Sequence, residues 1–218
     1  MKLSRHHVVA LIGATLTSGI ALSDAMLHGL TGRNLVFADN SGQLGWIVTG
    51  DLVHGFTYAA MIWVLIRERG RFDLANRFVR ALRFVLIASL GALTGGFVLV
   101  APILQIAGVP VTGAFWTAWG WLASIAFAGM ILSSLLLGVA VLRINPLGYG
   151  GRLLGLLVPL LGITVLLGFV APDWAHPAYL ETIINFGVAL IGVGTTAGLQ
   201  GLVTRRRRMP AGSPRSAR

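Results

Sequence analysis

Two pairs of ionisable residues within apolar sequence are the groups of this chain best suited to chemistry. Asp24 and His28 are four residues apart, and Asp51 and His54 are three residues apart. In an α-helix both spacings place the two side chains on one face, and Tyr58 continues the second face by one further turn. A carboxylate beside an imidazole can exchange a proton, form an ion pair or bind a cation. We therefore treat these five residues as the candidate site.

The chain contains six long apolar segments, and the candidate residues lie within the first two. The 218-residue chain is 56% hydrophobic and 11% charged, with a mean hydropathy of +0.81, which is typical of a protein whose solvent is lipid. About 20 apolar residues span a bilayer as a helix, and a helix satisfies its own backbone hydrogen bonds there. We predict an all-α integral membrane protein, a bundle of six transmembrane helices at 8–30, 46–66, 84–107, 113–142, 153–171 and 182–203.

The basic residues predict how this bundle is oriented. Lys and Arg in short loops are retained on the cytoplasmic side, and with six spans 16 of the 17 fall on one side, which leaves Arg33 on the other. We expect both termini in the cytoplasm. Because Arg greatly outnumbers Lys, as in GC-rich genomes, we expect the inner membrane of a bacterium. The anionic inner leaflet is the expected partner of Arg67, Arg69, Arg71, Arg205, Arg206, Arg207 and Arg208.

The composition argues against several classes of function. The chain has no cysteine, which excludes disulfides, thiolate metal sites and cysteine nucleophiles. Its net charge of +10 is divided among short runs between apolar segments, so we expect no nucleic-acid partner. The glycine clusters lack the preceding strand and the Lys-Ser/Thr pair of a phosphate loop. No motif indicates an enzymatic activity or a cofactor.

The chain divides into one membrane domain and a short tail. Residues 1–204 form the predicted transmembrane domain, and residues 205–218 form a basic, disordered cytoplasmic tail. An alternative is that the first apolar segment is a signal peptide cleaved near 23–25, where small residues occur, and that five helices remain. We favour six, because the first apolar segment continues past this point.

Small residues at a spacing of four predict close packing of helices. Gly91 and Gly95 have this spacing, as do Gly194 and Gly198, and it lets two helix backbones approach each other. Two interpretations are open: either pair forms the contact of a homo-oligomer, or the pairs pack within one bundle. We favour the second, because such motifs are frequent in glycine-rich membrane proteins.

The expected depth of the two ionisable pairs below the membrane boundary limits the interactions that their side chains can form. With a rise of about 1.5 Å per residue, Asp24 lies about 9 Å and Asp51 about 7.5 Å below the outer membrane boundary. If the polar faces of the first two helices meet, the carboxylates are level and must share a proton, pair with a histidinium or hold a cation. We therefore predict an outward-facing polar pocket between these helices.

Three interpretations of this pocket remain open. It is structural, with the Asp and His groups satisfying each other; or it binds a small ligand or proton in a small transporter or sensor subunit, lined further by Thr17, Gln105 and Asn185; or the four Asp and His residues hold a metal or haem in a redox protein. The scarcity of polar residues in the inner half argues against a full translocation path. A difference in depth of about 9 Å argues against His28 and His54 sharing one haem iron.

Four other ionisable residues receive no part in this site. We expect His6 and His7 near the N-terminus, and His176 in an outer loop, to be solvated. Glu181 is predicted at the start of the last helix, where the helix dipole stabilises a negative charge.

Overall fold

The secondary structure of the protein is helical wherever it is described. A computed structural model describes residues 3–37, 43–110, 112–143 and 145–195, and these contain no strand. The helices are α1 (Arg5–Thr31), α2 (Leu44–Arg67), α3 (Arg69–Leu74), α4 (Arg77–Gly95), α5 (Ala101–Ile106), α6 (Ala114–Ala140), α7 (Tyr149–Gly155), α8 (Leu157–Val170) and α9 (Ala178–Ala189).

Five helical segments in the described part are long and apolar enough to cross a bilayer. They are Arg5–Thr31, Leu44–Arg67, Arg77–Ile106, Ala114–Ala140 and Tyr149–Val170. Large apolar side chains such as Ile106, Trp121 and Phe169 lie on their outer surfaces, and Phe169 is 83% exposed. An apolar exterior around a helical core suits lipid as the solvent. The predicted all-helical, multi-pass membrane class is confirmed, with five such helices.

The third spanning helix begins earlier than predicted and changes its winding near its end. It starts at Arg77, where the Asn76 side chain accepts a hydrogen bond from the Val79 amide, 2.9 Å away. Between α4 and α5 the chain forms a π-helical turn over Gly96–Val100. Pro102 follows this turn and has no amide hydrogen to donate to the preceding turn. The local rewinding therefore occurs where the regular ladder of hydrogen bonds is interrupted.

The prediction of one continuous last helix over 182–203 is wrong. Helix α9 begins at Ala178 and ends at Ala189. Gly192 and Gly194 have φ angles of +90° and +74°, a left-handed conformation that glycine adopts without a steric penalty and that ends the helix. Residues 196–203, the predicted tail at 205–218 and Arg205 to Arg208 lie outside the described residues.

The helices surround a single apolar core. Helix α4 packs along α6, α1 packs against both α2 and α9, and α7 packs against α9. The core includes Met61, Leu65, Leu86, Leu90 and Met130, all fully buried. Helix α8 lies at the periphery, where Leu157 is its one buried residue.

The close helix contacts involve other glycines than those predicted. A Cβ on Gly138 of α6 would lie 2.4 Å from the Leu154 backbone, whereas a Cβ on Gly91 or Gly95 would meet nothing within 4 Å. Packing of Gly91 and Gly95 within the bundle is therefore not observed, and their role in an oligomer contact stays a prediction. Gly194 lies in a turn against Tyr149, not on a helix face, and Gly198 lies outside the described residues.

Candidate functional site

A cavity of about 540 Å³ lies between α1, α2, α6, the π-helical turn and the start of α9. It is found at the end of the bundle that carries the connection after α1 and the connection before α9. Cavities of a few hundred cubic ångströms are of the size that encloses small molecules. Its polar lining consists of Asp24, Asp51, His54, Tyr58, Ser124, His176 and Glu181.

Helix α2 supplies three of these groups on one face, as its spacing predicted. Tyr58 is 1% exposed, and its hydroxyl donates a hydrogen bond of 2.7 Å to Oε1 of Glu181. His54 Nδ1 lies 2.9 Å from the Gly50 carbonyl. Because a carbonyl oxygen can only accept, Nδ1 carries the hydrogen, and a neutral His54 ring has its lone pair on Nε2.

The lone pair of His54 faces a carboxylate. Its Nε2 lies 3.9 Å from Oε1 of Glu181. A neutral imidazole nitrogen and an ionised carboxylate both accept hydrogen bonds and repel each other. The arrangement becomes attractive when a cation or another hydrogen-bond donor lies between them. This pair is therefore chemically suited to accepting hydrogen bonds from one cation.

Asp24 lies at the same cavity but is held by the connection after α1 and the connection before α9. Its Oδ1 accepts a hydrogen bond of 2.6 Å from the Leu35 amide, and its Oδ2 lies 4.0 Å from Nε2 of His176. His28, predicted as its partner, instead donates from Nδ1 to the Asn34 side chain at 3.0 Å. His28 is absent from the residues that line the cavity. The structure thus places Asp24 in the site and His28 beside it.

Asp51 is oriented by the third spanning helix. Gln105 of α5 donates from its side-chain amide to Oδ2 of Asp51 at 2.9 Å. Gln105 was among the predicted further residues of the pocket, and it acts through Asp51. Thr17 and Asn185, predicted with it, do not line the cavity. Thr17 forms a hydrogen bond of 2.8 Å with Thr57, between α1 and α2.

An aromatic wall forms the side of the cavity toward α6. The Phe97 ring lies 5.7 Å from the ring of His54 and 6.0 Å from the ring of Tyr58, between centroids. Behind it, Trp119 contacts Phe97 edge to face at 5.9 Å. Gly96 allows this packing, because a Cβ there would overlap the Trp119 ring. The π-helical turn therefore positions Phe97 over the polar groups.

His176 was predicted to be solvated, and the structure corrects this. Its Nδ1 accepts a hydrogen bond from the Ala178 amide at 3.2 Å, at the start of α9, and its side chain lines the cavity. Burial lowers the pKa of His176 below 6.5, and the neighbouring His28 also lowers it, while Asp24 and Glu181 partly oppose the shift. The neutral form also suits the position, since the amide at a helix start repels a positive charge.

A second polar cluster lies at the opposite end of α1 and corrects two further expectations. His6 and His7, predicted to be solvated, are buried. Nε2 of His6 lies 3.2 Å from Oε1 of Glu68, and Arg71 donates from Nε to Oε2 of the same carboxylate. Arg71, predicted to contact lipid headgroups, is thus buried within the protein, whereas Arg67 and Arg69 are exposed.

The geometry of possible metal donors differs from the predicted set. Among the described residues, one group of three His, Asp or Glu side chains has donor atoms within 4.8 Å of one another, and it is His6, His7 and Glu68. The predicted quartet of Asp24, His28, Asp51 and His54 does not form such a group. His28 lies outside the cavity that His54 lines, so the structure offers no support for haem ligation by these two histidines.

Comparison of the chain with protein-family models, with curated proteins and with solved structures gives no match.

Proposed function

We propose that this chain is an inner-membrane protein of a bacterium that crosses the bilayer six times, with both termini in the cytoplasm. Five segments are long enough for single helical crossings. We assign the sixth to α9 and the turn after it, because this segment joins the same two regions as α1. At its start His176 lies 4.0 Å from Asp24, and at its end the Ile191 carbonyl lies 2.9 Å from Nε2 of His7.

The length of α1 between these two points supports this assignment. Asp24 and His7 are separated by about 25 Å along the helix axis, at about 1.5 Å per residue. That distance approaches the roughly 30 Å of a hydrocarbon layer. A helix of 12 residues followed by a turn therefore extends through most of the layer beside α1. The arginine-rich connection between α2 and α4 then shares one membrane side with the N-terminus, as the distribution of basic residues favours.

We propose that the cavity described above, which faces outward in this arrangement and which we call the outer cavity, binds a small organic cation. The observation that carries the proposal is the charge of its lining: three carboxylates, from Asp24, Asp51 and Glu181, with no Lys or Arg among the described residues that line it. Asp24 and Glu181 each accept a hydrogen bond from a neutral donor, which orients the carboxylate without cancelling its charge. In a region of low dielectric constant, a ligand with a positive charge gains most from this arrangement.

The shape and apolar lining of the cavity favour an organic cation over a bare metal ion. Phe37, Phe97, Phe127 and Tyr58 all line it, and aromatic faces attract ammonium groups. A volume of about 540 Å³ is large for one ion and suits a molecule with an apolar body and an amine. Such a site fits the outward-facing binding step of a small transporter or of a sensor subunit.

The pair of His54 and Glu181 offers two acceptor atoms to one cation. Nε2 of His54 and Oε1 of Glu181 lie 3.9 Å apart, so an ammonium group beside Glu181 can donate a hydrogen bond to each of them.

Calorimetric titration of the full chain in lipid nanodiscs tests this function. Benzylamine is the probe, and benzyl alcohol is a neutral probe of matched size. We expect benzylamine to bind and benzyl alcohol to bind much more weakly. Glu181→Gln and Asp24→Asn should each weaken benzylamine binding about tenfold or more, since a hydrogen bond to a charged group contributes about 1.5–3 kcal/mol.

Asp173→Asn is the matched control. It removes an exposed carboxylate in the connection before α9 that does not line the cavity. It should bind benzylamine as the wild type does. The proposal is overturned if benzylamine, tetramethylammonium and benzyl alcohol bind equally or not at all, or if Asp173→Asn weakens binding as much as Glu181→Gln.

A further inference from the structure

We propose that His6, His7 and Glu68 form a binding site for a divalent transition-metal ion of the zinc class, at the opposite end of the bundle from the outer cavity. Their donor atoms all lie within 4.8 Å of one another. Two imidazoles and one carboxylate form a common set of protein ligands for zinc and for related divalent ions.

The hydrogen bonding of His7 leaves one of its nitrogens as the metal donor. Nε2 of His7 lies 2.9 Å from the Ile191 carbonyl, which can only accept, so Nε2 carries the hydrogen. Nδ1 then bears the lone pair. It is buried and has no hydrogen-bond partner among the described residues, in a side chain that is 95% buried. A metal-bound histidine characteristically donates its other N–H to a backbone carbonyl, which fixes the ring and its tautomer.

The carboxylate of Glu68, like the His7 ring, is oriented by a hydrogen bond to the atom that does not face the metal site. Arg71 binds Oε2, and Oε1 is directed toward His6 at 3.2 Å. Arg71 is itself held by a hydrogen bond of 2.8 Å to Thr195. A supporting hydrogen bond to the second oxygen is what orients a carboxylate that binds a metal through the first.

The charges and donor atoms around the site determine which class of metal ion it favours. Arg71 partly offsets the charge of the single carboxylate, so a hard ion that needs several oxygen ligands, such as Mg²⁺ or Ca²⁺, is disfavoured. Imidazole nitrogens favour zinc and its neighbours. Tetrahedral zinc ligands at about 2.0–2.2 Å from the ion lie about 3.4 Å apart, so binding draws these side chains slightly inward.

Helix α9 closes the site from the side of the core. Gly192 follows this helix at a φ of +90°, and a Cβ there would lie 2.5 Å from Nε of Arg71 and 2.6 Å from Oε2 of Glu68. The turn therefore passes directly over the ion pair. A metal ion in this place connects α1 with the end of α2, while the Ile191 carbonyl holds His7 against α9.

Zinc titration of the full chain in nanodiscs tests the site, with a purification tag that contains no histidine. We expect one zinc ion per chain after removal of loosely bound metal by dialysis. His6→Gln, His7→Gln and Glu68→Gln should each weaken zinc binding at least about tenfold. Glutamine retains an N–H that can reach the Ile191 carbonyl, so the packing of His7→Gln is preserved as far as a substitution allows.

His28→Gln is the matched control, since it removes an imidazole from the same helix at the far end, and it should bind zinc as the wild type does. His54→Gln distinguishes the outer cavity. The site is refuted if the wild type holds no stoichiometric zinc, or if zinc is lost in His54→Gln and retained in His7→Gln.

Cobalt provides a readout that does not depend on any variant folding. Wild-type protein loaded with Co²⁺ should show the intense visible absorption of a four-coordinate ion with nitrogen and oxygen ligands. The weak spectrum of an octahedral, largely hydrated ion would overturn the proposal.

Discussion

The ionisable residues of the outer cavity are oriented mostly by neutral donors. The Leu35 amide donates a hydrogen bond to Asp24, the Tyr58 hydroxyl donates one to Glu181, and the Gln105 side-chain amide donates one to Asp51. A neutral donor fixes the direction of a carboxylate but leaves its charge available to another group. His176 adds a group whose own charge depends on pH, because it lies between a backbone amide and Asp24.

The lowered pKa of His176 predicts how stability depends on pH. Because its folded-state pKa lies below 6.5, the unfolded chain binds more protons than the folded chain near that value. The free energy of unfolding therefore rises with pH through this region and falls as the pH drops below about 6.5. We expect the melting temperature in detergent to increase between about pH 5.5 and pH 7.5.

His176→Gln isolates this contribution, because glutamine does not titrate. The melting temperature of this variant should depend less steeply on pH than that of the wild type over the same range. The charged groups that face His176 are Asp24, His28 and Glu181, so His28→Gln serves as the comparison. An unchanged slope in His176→Gln would contradict the assignment.

The sequence predicted the residues of the site that lie on the first two helices and missed those at the start of α9. Asp51, His54 and Tyr58 are brought together by local spacing, which is visible in the sequence. His176 and Glu181 reach the cavity through the packing of α9 against α1, and no local pattern encodes that contact. His28 had the right spacing but bonds to Asn34 instead, because the connection after α1 folds back over it.

At the scale of elements, the π-helical turn determines where the aromatic wall lies. It occupies Gly96–Val100, between a regular helix and Pro102. Its first residue faces Trp119, and its second is Phe97, which lines the cavity. Turns of this kind occur often at functional sites, and here the turn connects the packing of α6 to the shape of the cavity.

Neighbouring glycines in this segment allow a matched test of that packing. Gly96→Ala places a Cβ within the space of the Trp119 ring, whereas the Cβ of Gly95→Ala meets nothing within 4 Å. We expect Gly96→Ala to destabilise the protein by about 1–3 kcal/mol through overpacking. Gly95→Ala should leave stability unchanged or raise it slightly, because alanine favours the helix.

Chemical unfolding in mild detergent, followed by tryptophan fluorescence, measures both variants. The emission of Trp119 should also change in Gly96→Ala, since its ring must move. Equal stability of the two variants would show that the contact between Gly96 and Trp119 does not determine the position of this helix.

The elements themselves were largely predictable, and their ends were not. Runs of about 20 apolar residues encode spanning helices through hydropathy alone. Four predicted segments match observed spanning segments within a few residues at both ends, and a fifth, 84–107, matches at its end. The start of α4 at Arg77 depends on the Asn76 cap, inside a charged stretch that hydropathy assigns to a loop. The end of α9 depends on two glycines with positive φ, which an apolar sequence does not distinguish from helical glycines.

At the scale of the whole molecule, α1, α2 and α9 connect the two polar clusters. Helix α1 carries Asp24 at one end and His6 with His7 at the other. Helix α2 carries Asp51 and His54 and is followed by Glu68, which caps its end. Helix α9 begins at the cavity and ends over the cluster of His6, His7 and Glu68. These three helices form the unit that physically joins the two clusters.

The absence of cysteine from the sequence allows the orientation of this unit to be mapped residue by residue. Single cysteines at exposed positions can be labelled by a maleimide that does not cross membranes. If six crossings place both termini inside, Arg33→Cys and Asp173→Cys should be labelled in intact cells. Ser4→Cys, Arg69→Cys and Arg143→Cys should be labelled only after the membrane is permeabilised, because the basic connections are retained in the cytoplasm.

A cysteine at Ser213, outside the described residues, decides the number of crossings. Six crossings require protection of Ser213→Cys in intact cells, since α9 and the following turn then return the chain to the side of Ser4. Five crossings predict its labelling together with Asp173→Cys. If Arg69→Cys is labelled in intact cells, the orientation is the opposite of the proposed one. The cavity lined by Asp24 and Glu181 then faces the cytoplasm.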